Sequence, residues 1–375
     1  MGSSPTRLIR CACYPIWLYH HTSDFDNSSP YRYTNRVKVQ LIHNPVAGQH
    51  DLSEQINEVV GYLETQGWDV NLRKTMGIGD ATTYAREAVA HHYDMVIAVG
   101  GDGTFGEVAT GLAYSDVTLG LIPVGTGNVW AHMLNMPTWT PLNRTALLDA
   151  AEILVQGKVR RIDLGKAGNR FFVLYGGIGF DAALAHQVEP HREMRRSFGN
   201  LLYLVAAASL SLSLRGTRMT IVIDGQVTRQ RVLLVLVTNV PVYGALWVAP
   251  QAKLDDGYLD VYIFKGDNVL DAVSHTVKVT MGVQAGDPRI ETYRAKKVEI
   301  YGEKHLPIQL DGDPSGETPA VITVAHKALD VIVPAATSDS LFKGTPANSP
   351  GYYTLVQRIL ESLRAEPEKW PDNQQ

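Results

Sequence analysis

The run Val99-Gly100-Gly101-Asp102-Gly103-Thr104 brings three glycines, a carboxylate and a hydroxyl into one short stretch. It follows the apolar segment Met95-Val96-Ile97-Ala98, a strand candidate, and leads into a helix predicted from Phe105 to Ala113. Glycine lets a backbone approach a phosphate closely and reach dihedrals closed to other residues. Amides at the start of the following helix would face that anion, aided by the helix dipole. Asp102 has the wrong sign to hold phosphate itself, which places a hard cation between them. A strand, a glycine loop with one carboxylate and a helix together imply a nucleotide-phosphate and magnesium site.

Two more segments have the same form. Val39-Gln40-Leu41-Ile42 runs into His43-Asn44-Pro45-Val46-Ala47-Gly48. Leu119-Gly120-Leu121-Ile122-Pro123 runs into Val124-Gly125-Thr126-Gly127-Asn128, with a helix predicted from Val129 to Leu134. Ligands of open α/β sheets bind beyond the carboxyl ends of the strands. One such loop alone is as readily an ordinary strand-to-helix turn. Three in order, at one end of a sheet, point to a phosphate cradle.

The elements that must position these loops alternate from Val37 onward. Asp51 with Glu54 resembles a capping box. Leu52, Ile56, Val59 and Leu63 mark one apolar helix face that ends at Gly67. A strand follows from Trp68 to Leu72, and Asp80 caps a helix running to His91. With strands at Met95 to Val99 and Leu119 to Ile122, and a helix from Arg144 to Val155, this is a parallel α/β layer. After Arg160 the pattern changes. Thr220 to Ile223 and Arg231 to Val237 flank Asp224-Gly225, a strong hairpin signal. Further strands are predicted at Leu259 to Phe264, Lys297 to Tyr301, Val321 to Val324 and Ala328 to Val333. Helices are predicted near Asn200 to Leu214 and Asn268 to Val283. This reads as an antiparallel β domain. A last helix is predicted from Tyr352 to Leu363.

Composition narrows the class. The chain has 375 residues, enough for two domains and a substantial core. Its 34 basic and 38 acidic residues give a net charge of −4, which argues against a general nucleic-acid binder. Cys11 and Cys13 are the two cysteines, so no disulfide framework is expected and a reducing compartment fits. Residues 1–36 differ in character from the rest. Arg7 and Arg10 precede an apolar patch, Cys11 to Tyr19, that Pro15 interrupts, with no small-residue cleavage site after it. They read as a disordered extension or a misassigned start rather than a signal peptide. Met1-Gly2-Ser3-Ser4-Pro5-Thr6 fits the loose myristoylation pattern, with Pro5 against it.

The three loops, taken with Tyr175-Gly176-Gly177-Ile178-Gly179-Phe180-Asp181-Ala182, the stretch Ala249 to Asp260 and Leu310-Asp311-Gly312-Asp313, resemble the diacylglycerol kinase and sphingosine kinase family. The likeness is closest to its soluble bacterial lipid kinases and runs from about Val37 to Pro334. The Gly-Gly-Asp-Gly-Thr element alone is also shared with NAD kinases. The resemblance implies an NAD-kinase-like α/β nucleotide-binding domain with a parallel sheet, residues 37–159. It also implies an antiparallel β-sandwich domain for the lipid substrate, residues 160–337, with the active site between them. Residues 338–375 would form a C-terminal helix and tail, packed on the first domain in such a fold.

Phosphoryl transfer needs positioning, charge neutralisation and a base. Backbone amides of Asn44, Pro45 (through its neighbours), Val46, Ala47 and Gly48, and of Gly100, Gly101, Asp102, Gly103 and Thr104, would hold ATP phosphates. Thr126 would add a hydroxyl, and Thr75 matches a nucleotide contact of the family, although a turn-forming Thr reads equally well. Asp102 would serve the catalytic magnesium, directly or through water, or else cap a helix. The base should be a carboxylate, and Asp311 and Asp313 are the candidates. Spacing alone leaves Asp311-Gly312 equally open as a hairpin turn. The family places its base in this motif as Asp-Gly-Glu, so Asp313 shortens the reach by one methylene. By resemblance Lys253, Asp256 and Tyr258 would hold a structural magnesium; without it, two acids in a turn read as solvated. The apolar run Leu201 to Ala208 is too short to span a bilayer and reads as a buried helix or as the wall of an acyl-chain cleft. Arg192, Arg195, Arg196, Arg215 and Arg218 beside it read as solvated charge or as contacts to anionic headgroups.

The implied protein is a cytoplasmic, ATP- and magnesium-dependent lipid kinase. It would contact a membrane surface peripherally, with no transmembrane segment and no nucleic-acid partner, and its edge strands would permit a homodimer. Alternatives are an NAD kinase and a catalytically silent nucleotide- or lipid-binding protein. Gly106, Val129 and Ala47 stand where the family usually has Asn, Asp and Ser, and these departures could alter nucleotide choice or weaken activity.

Overall fold

The computed structural model describes residues 37–48, 50–179, 215–244 and 246–343. The predicted helices near Asn200 to Leu214 and Tyr352 to Leu363, the arginines 192, 195 and 196, and residues 1–36 lie outside the described residues.

The first half is a three-layer α/β unit. Strands β1 (Lys38–His43), β2 (Asp69–Lys74), β3 (Met95–Gly100) and β4 (Thr118–Pro123) pair in parallel in the order β4-β3-β1-β2. Every residue of β3 is buried, as expected of a strand covered on both faces. Met95, Ile97 and Val99 face one core with Ile56, Val59 and Leu63 of α1 (Ser53–Thr65) and Leu147, Ala150 and Leu154 of α5 (Ala146–Gln156). Val96 and Ala98 face the other, with α2 (Asp80–Ala90), α3 (Asp102–Leu112) and α4 (Val129–Met133).

Local differences from the sequence reading have physical reasons. Helix α3 begins at Asp102, not Phe105, so the glycine motif is its first turn. Gly101 takes the extended N-cap position and Asp102 complements the helix dipole. Asp51 and Glu54 form no capping box. Leu52 is the N-cap of α1, and Asp51 accepts from the Ser53 amide at 3.0 Å, two residues on. Asp80 does not cap α2 either. Its carboxylate reaches back to accept from the Met76 and Gly77 amides at 2.8 and 2.9 Å and so orders the preceding loop.

The second half is antiparallel. It contains β5 (Lys158–Ala167), β6 (Arg170–Phe172), β7 (Tyr175–Gly179), β8 (Thr217–Ile223), β9 (Gln226–Thr238), β10 (Val242–Tyr243), β11 (Leu246–Trp247) and β12 (Leu259–Lys265). There follow α6 (Val269–Thr280), β13 (Ile290–Ala295), β14 (Lys297–Gly302), β15 (Pro307–Leu310), β16 (Asp313–Glu317) and β17 (Ala320–Val333). Asp224 and Gly225, with φ of 45° and 89°, form the expected two-residue turn between β8 and β9. A sandwich core of Phe172, Ile221, Val235, Val261, Ile300 and Ile322 fills this half.

The two strands predicted around Val321 and Ala328 are one strand, β17. It pairs with β14 and β5 in the antiparallel half and, through Val331↔Leu119, runs parallel to β4. Fifteen strands of the described residues thereby form one sheet. β17 bulges between Ala325 and Leu329, where Lys327 has φ 48°. Asp163, fully buried on β5, holds the bulge by accepting from the Lys327 amide at 2.6 Å and pairing with His326 Nδ1 at 2.7 Å. Its other oxygen accepts from the Gly257 amide at 2.6 Å. Asp163→Ala should cost about 3 kcal/mol in urea unfolding, because two backbone N–H groups lose their acceptor. A loss below about 1 kcal/mol would mean that the bulge holds without it.

Candidate active site

The ends of β1, β3 and β4 meet through bare backbone. A Cβ on Gly125 would lie 2.5 Å from the Gly101 Cα, and one on Gly48, at φ 77°, would lie 2.2 Å from the Val124 carbonyl oxygen. The Asn44 side chain donates to Thr104 Oγ1 at 3.0 Å, which ties the first loop to the first turn of α3. The Val124 amide donates to the Gly100 carbonyl at 3.0 Å, and the Asn128 side chain closes its own loop on the Gly125 carbonyl at 2.7 Å. Buried Thr75, just past β2, donates its amide to the His43 carbonyl at 2.8 Å, while Thr126 stands exposed at its loop tip. The expected nucleotide residues therefore share one end of the parallel sheet.

The expected amide donors do not all face outward. The Asn44 amide donates to the Val99 carbonyl, Val46 to the Asn44 side-chain oxygen and Ala47 to the Asn44 carbonyl. These bonds shape the first loop from within. The first amides of α3 are different, since the opening turn of any helix leaves its N–H groups without intrahelical partners.

Asp102 is a cap as well as a candidate cation partner. Its two oxygens accept from the Val129 and Trp130 amides at 3.0 and 3.1 Å, so it caps α4 across the sheet end. Burial pushes its carboxyl up, and those two amides pull it down. Among the described residues no trio of His, Cys, Asp or Glu is arranged to hold a metal ion. Each Asp102 oxygen already accepts one backbone hydrogen bond.

The antiparallel half contributes the turn between β15 and β16. Asp311 and Gly312 are that turn, with φ of 52° and 90°, so the hairpin reading of the pair is correct. The turn also carries chemistry. Asp311 is buried and accepts from the Val173, Leu174 and Tyr175 amides at 2.9, 2.8 and 3.0 Å. Burial pushes its carboxyl up to about 7 against the pull of those three bonds. A Cβ on Gly106 would lie 3.0 Å from its oxygen, so the absence of a side chain at 106 makes room for Asp311. Asp313 points at the next turn of α3, where a Cβ on Gly103 would lie 3.0 Å from its Oδ2. Unlike Asp311 it is 37 % exposed, and Arg170 pairs with it at 3.0 Å.

Arg170 was not singled out in the sequence, nor was Glu107. The Arg170 guanidinium also donates to Ser315 Oγ at 2.8 Å, which fixes the start of β16. Glu107 accepts from the Gly79 amide at 3.1 Å. Its carboxyl is pushed up by burial and by the charge of Asp313, with Arg170 opposing. Position 168-169, a Gly-Asn turn, signals the hairpin that carries Arg170, but nothing local signals its target 143 residues away.

The third acidic element lies elsewhere. Asp256 accepts from the Tyr258 amide at 3.0 Å with one oxygen and from the Arg294 guanidinium with the other. The Lys253 ammonium donates to the Ser340 carbonyl. Arg294 and Lys296 both lie over the Tyr258 ring, at 4.9 and 5.3 Å from its centre.

Residues 38–167 match the family described as diacylglycerol kinase catalytic domain, and residues 175–333 match the YegS C-terminal NAD kinase beta sandwich-like domain. The diacylglycerol kinase of Bacillus subtilis (strain 168) is 30% identical over 307 residues, covering 81% of this chain and 99% of that protein. The diacylglycerol kinase of Staphylococcus carnosus (strain TM300) is 27% identical over 303 residues, covering 80% and 96%. A crystal structure of a diacylglycerol kinase from Bacillus anthracis str. Sterne superposes with a TM-score of 0.66 at 29% identity, covering 81% of this chain and 99% of that one. With the glycine cradle and the buried Asp311 turn assembled on this matching frame, the chain belongs to the diacylglycerol kinase family and is a lipid kinase.

Proposed function

We propose that the enzyme transfers the γ-phosphoryl group of ATP to a hydroxyl of a diacylglycerol-like or sphingoid lipid, with Asp313 as the base. The observation that carries this reading is the position of Asp313. It is the accessible carboxylate of the motif and lies against the helix turn that opens the phosphate cradle. Asp311 has both oxygens engaged by backbone amides and is buried, which suits it to holding the turn.

The first turn of α3 and the loops after β1 and β4 would hold the phosphates, and Thr75 would line the nucleotide beside them. Magnesium, when bound with ATP, would neutralise phosphate charge, and Asp102 would hold it through water. Asp313 takes the proton of the lipid hydroxyl. The hydroxyl oxygen then bonds to the γ-phosphorus as the bond to the β–γ bridging oxygen breaks, and ADP leaves. Arg170 positions Asp313 and offsets the missing methylene by fixing the carboxylate from the β5–β6 hairpin. The lipid acceptor implies peripheral contact with a membrane surface. Among the described residues no helix is long and apolar enough to cross one.

ADP release from ATP and magnesium, measured against mixed-micelle lipids and against NAD, tests the reading. Lipid-dependent turnover is expected, and Asp313→Asn should lower it by about 10²–10⁴-fold, the usual contribution of a general base. Asp313→Glu should retain most of it. Wild-type rates in Asp313→Asn, or turnover with NAD alone, would overturn the assignment. Arg170→Met should lower kcat with little change in the KM for ATP, since Arg170 acts through the Asp313 carboxylate that it pairs with at 3.0 Å. An unchanged kcat would leave Arg170 a merely structural residue.

Asp311 also predicts a pH signature. Its folded value of about 7 stands above its ordinary one, so the folded state binds its proton more tightly than the unfolded chain does. Its contribution is therefore complete below about pH 4 and is lost as pH rises toward 7. In urea unfolding, the stability advantage of wild type over Asp311→Asn should shrink between pH 5 and pH 8. An advantage that grows over that range would contradict the burial argument.

A further inference from the structure

The family resemblance assigns a structural magnesium to the turn Lys253 to Tyr258. The residues present do not fit one. Asp256 is the only carboxylate of that donor set, and its side chain is 8 % exposed with both oxygens occupied by the Tyr258 amide and by Arg294. Arg294 stands on β13 directly opposite Asp260 on β12, in register. The guanidinium pairs with Asp256, whose side chain is 8 % exposed, and its charge also acts on buried Asp260. Other groups face the same turn. Lys253 is tied to the Ser340 carbonyl, Lys296 lies over the Tyr258 ring, and Asp255 accepts from the Lys343 amide at 2.7 Å. Asp163 is committed to Gly257, His326 and Lys327.

We propose that in this chain the Arg294 guanidinium takes the place of the divalent cation, so that the turn Lys253 to Tyr258 is closed by an internal charge and binds no metal. Guanidinium suits the task. It is planar, always charged and less strongly hydrated than ammonium. It is also anchored to β13, whose pairing with β12 places it without any ligand. A divalent ion entering there would have to displace Arg294 from Asp256, the one carboxylate of the implied donor set, and would then sit close to the charges of Arg294, Lys253 and Lys296. Hard cations of this kind take six or more oxygen ligands, or keep water in their place.

The test uses the full chain without nucleotide, so its outcome is independent of the kinase assignment. Melting temperature is measured in EDTA and in millimolar MgCl2 for wild type, Asp256→Asn, Arg294→Met and Arg294→Lys. Wild type and Asp256→Asn should show the same magnesium-dependent change. Arg294→Met should melt about 3 °C lower, a shift of the size expected for one lost half-exposed ion pair in a chain of this length, and Arg294→Lys should recover part of it. A magnesium-dependent rise in wild type that Asp256→Asn abolishes would overturn the proposal. If Arg294→Met or Asp256→Asn fails to fold, Mn2+ electron paramagnetic resonance on wild type and Arg294→Lys decides. Absence of Mn2+ binding by both supports the internal cation. Mn2+ bound by wild type as tightly as by Arg294→Lys, or more tightly, would mean that Arg294 does not occupy the ion's place.

Discussion

The site depends on the contact of backbone with backbone at one end of the parallel sheet. The loops after β1, β3 and β4 lie so close that side chains at Gly48, Gly101 or Gly125 would occupy the space of the neighbouring main chain. Removing Cβ atoms there costs conformational entropy in the unfolded chain. In return the loops approach one another more closely than side chains would allow, and the first turn of α3 is tied to the first of them through Asn44. Asp102 completes the arrangement from below by capping α4, which holds the third loop against the second.

Against this cradle the antiparallel half sets one two-residue turn. Its two acids have separate tasks because their environments differ. Asp311, with positive φ and three amide partners, fixes the turn to the chain between β6 and β7. Asp313, one step into β16, remains open and is steered by Arg170. The small residues Gly103 and Gly106 are what let two carboxylates approach the same helix face. A turn that looks in sequence like either a hairpin or a catalytic motif is a hairpin in the structure, and its second acid is the accessible one.

Much of this was legible in the sequence because it is local. Apolar runs gave the four parallel strands, the spacing of Ile56, Val59 and Leu63 gave the buried face of α1, and Asp224-Gly225 gave a hairpin with its turn type. What stayed hidden is carried by contacts between distant residues. Asp102 meets Val129 and Trp130 across 27 and 28 residues, and Arg170 meets Asp313 across 143. Glycines at 101 and 103 disguised the start of α3, since their low helix propensity reads as loop until packing overrides it. Helix caps at Asp51 and Asp80 failed for a related reason, because each carboxylate found a nearer loop amide. The bulge at Lys327 split one strand into two in the reading of the sequence, and only Asp163, far away on β5, explains why the chain bends there.

Strand β17 has a mechanical meaning. Two-part enzymes commonly close over their substrates by swinging about a hinge, a place where few strands of chain cross between rigid bodies. Here the crossing is itself a hydrogen-bonded strand, paired along its length with β5 and continued into the parallel layer at Leu119. Bending there would break sheet ladder rather than rotate a few loop dihedrals. Swinging the halves apart at that seam would have to part Val331 from Leu119 and slide β17 off the edge of β4.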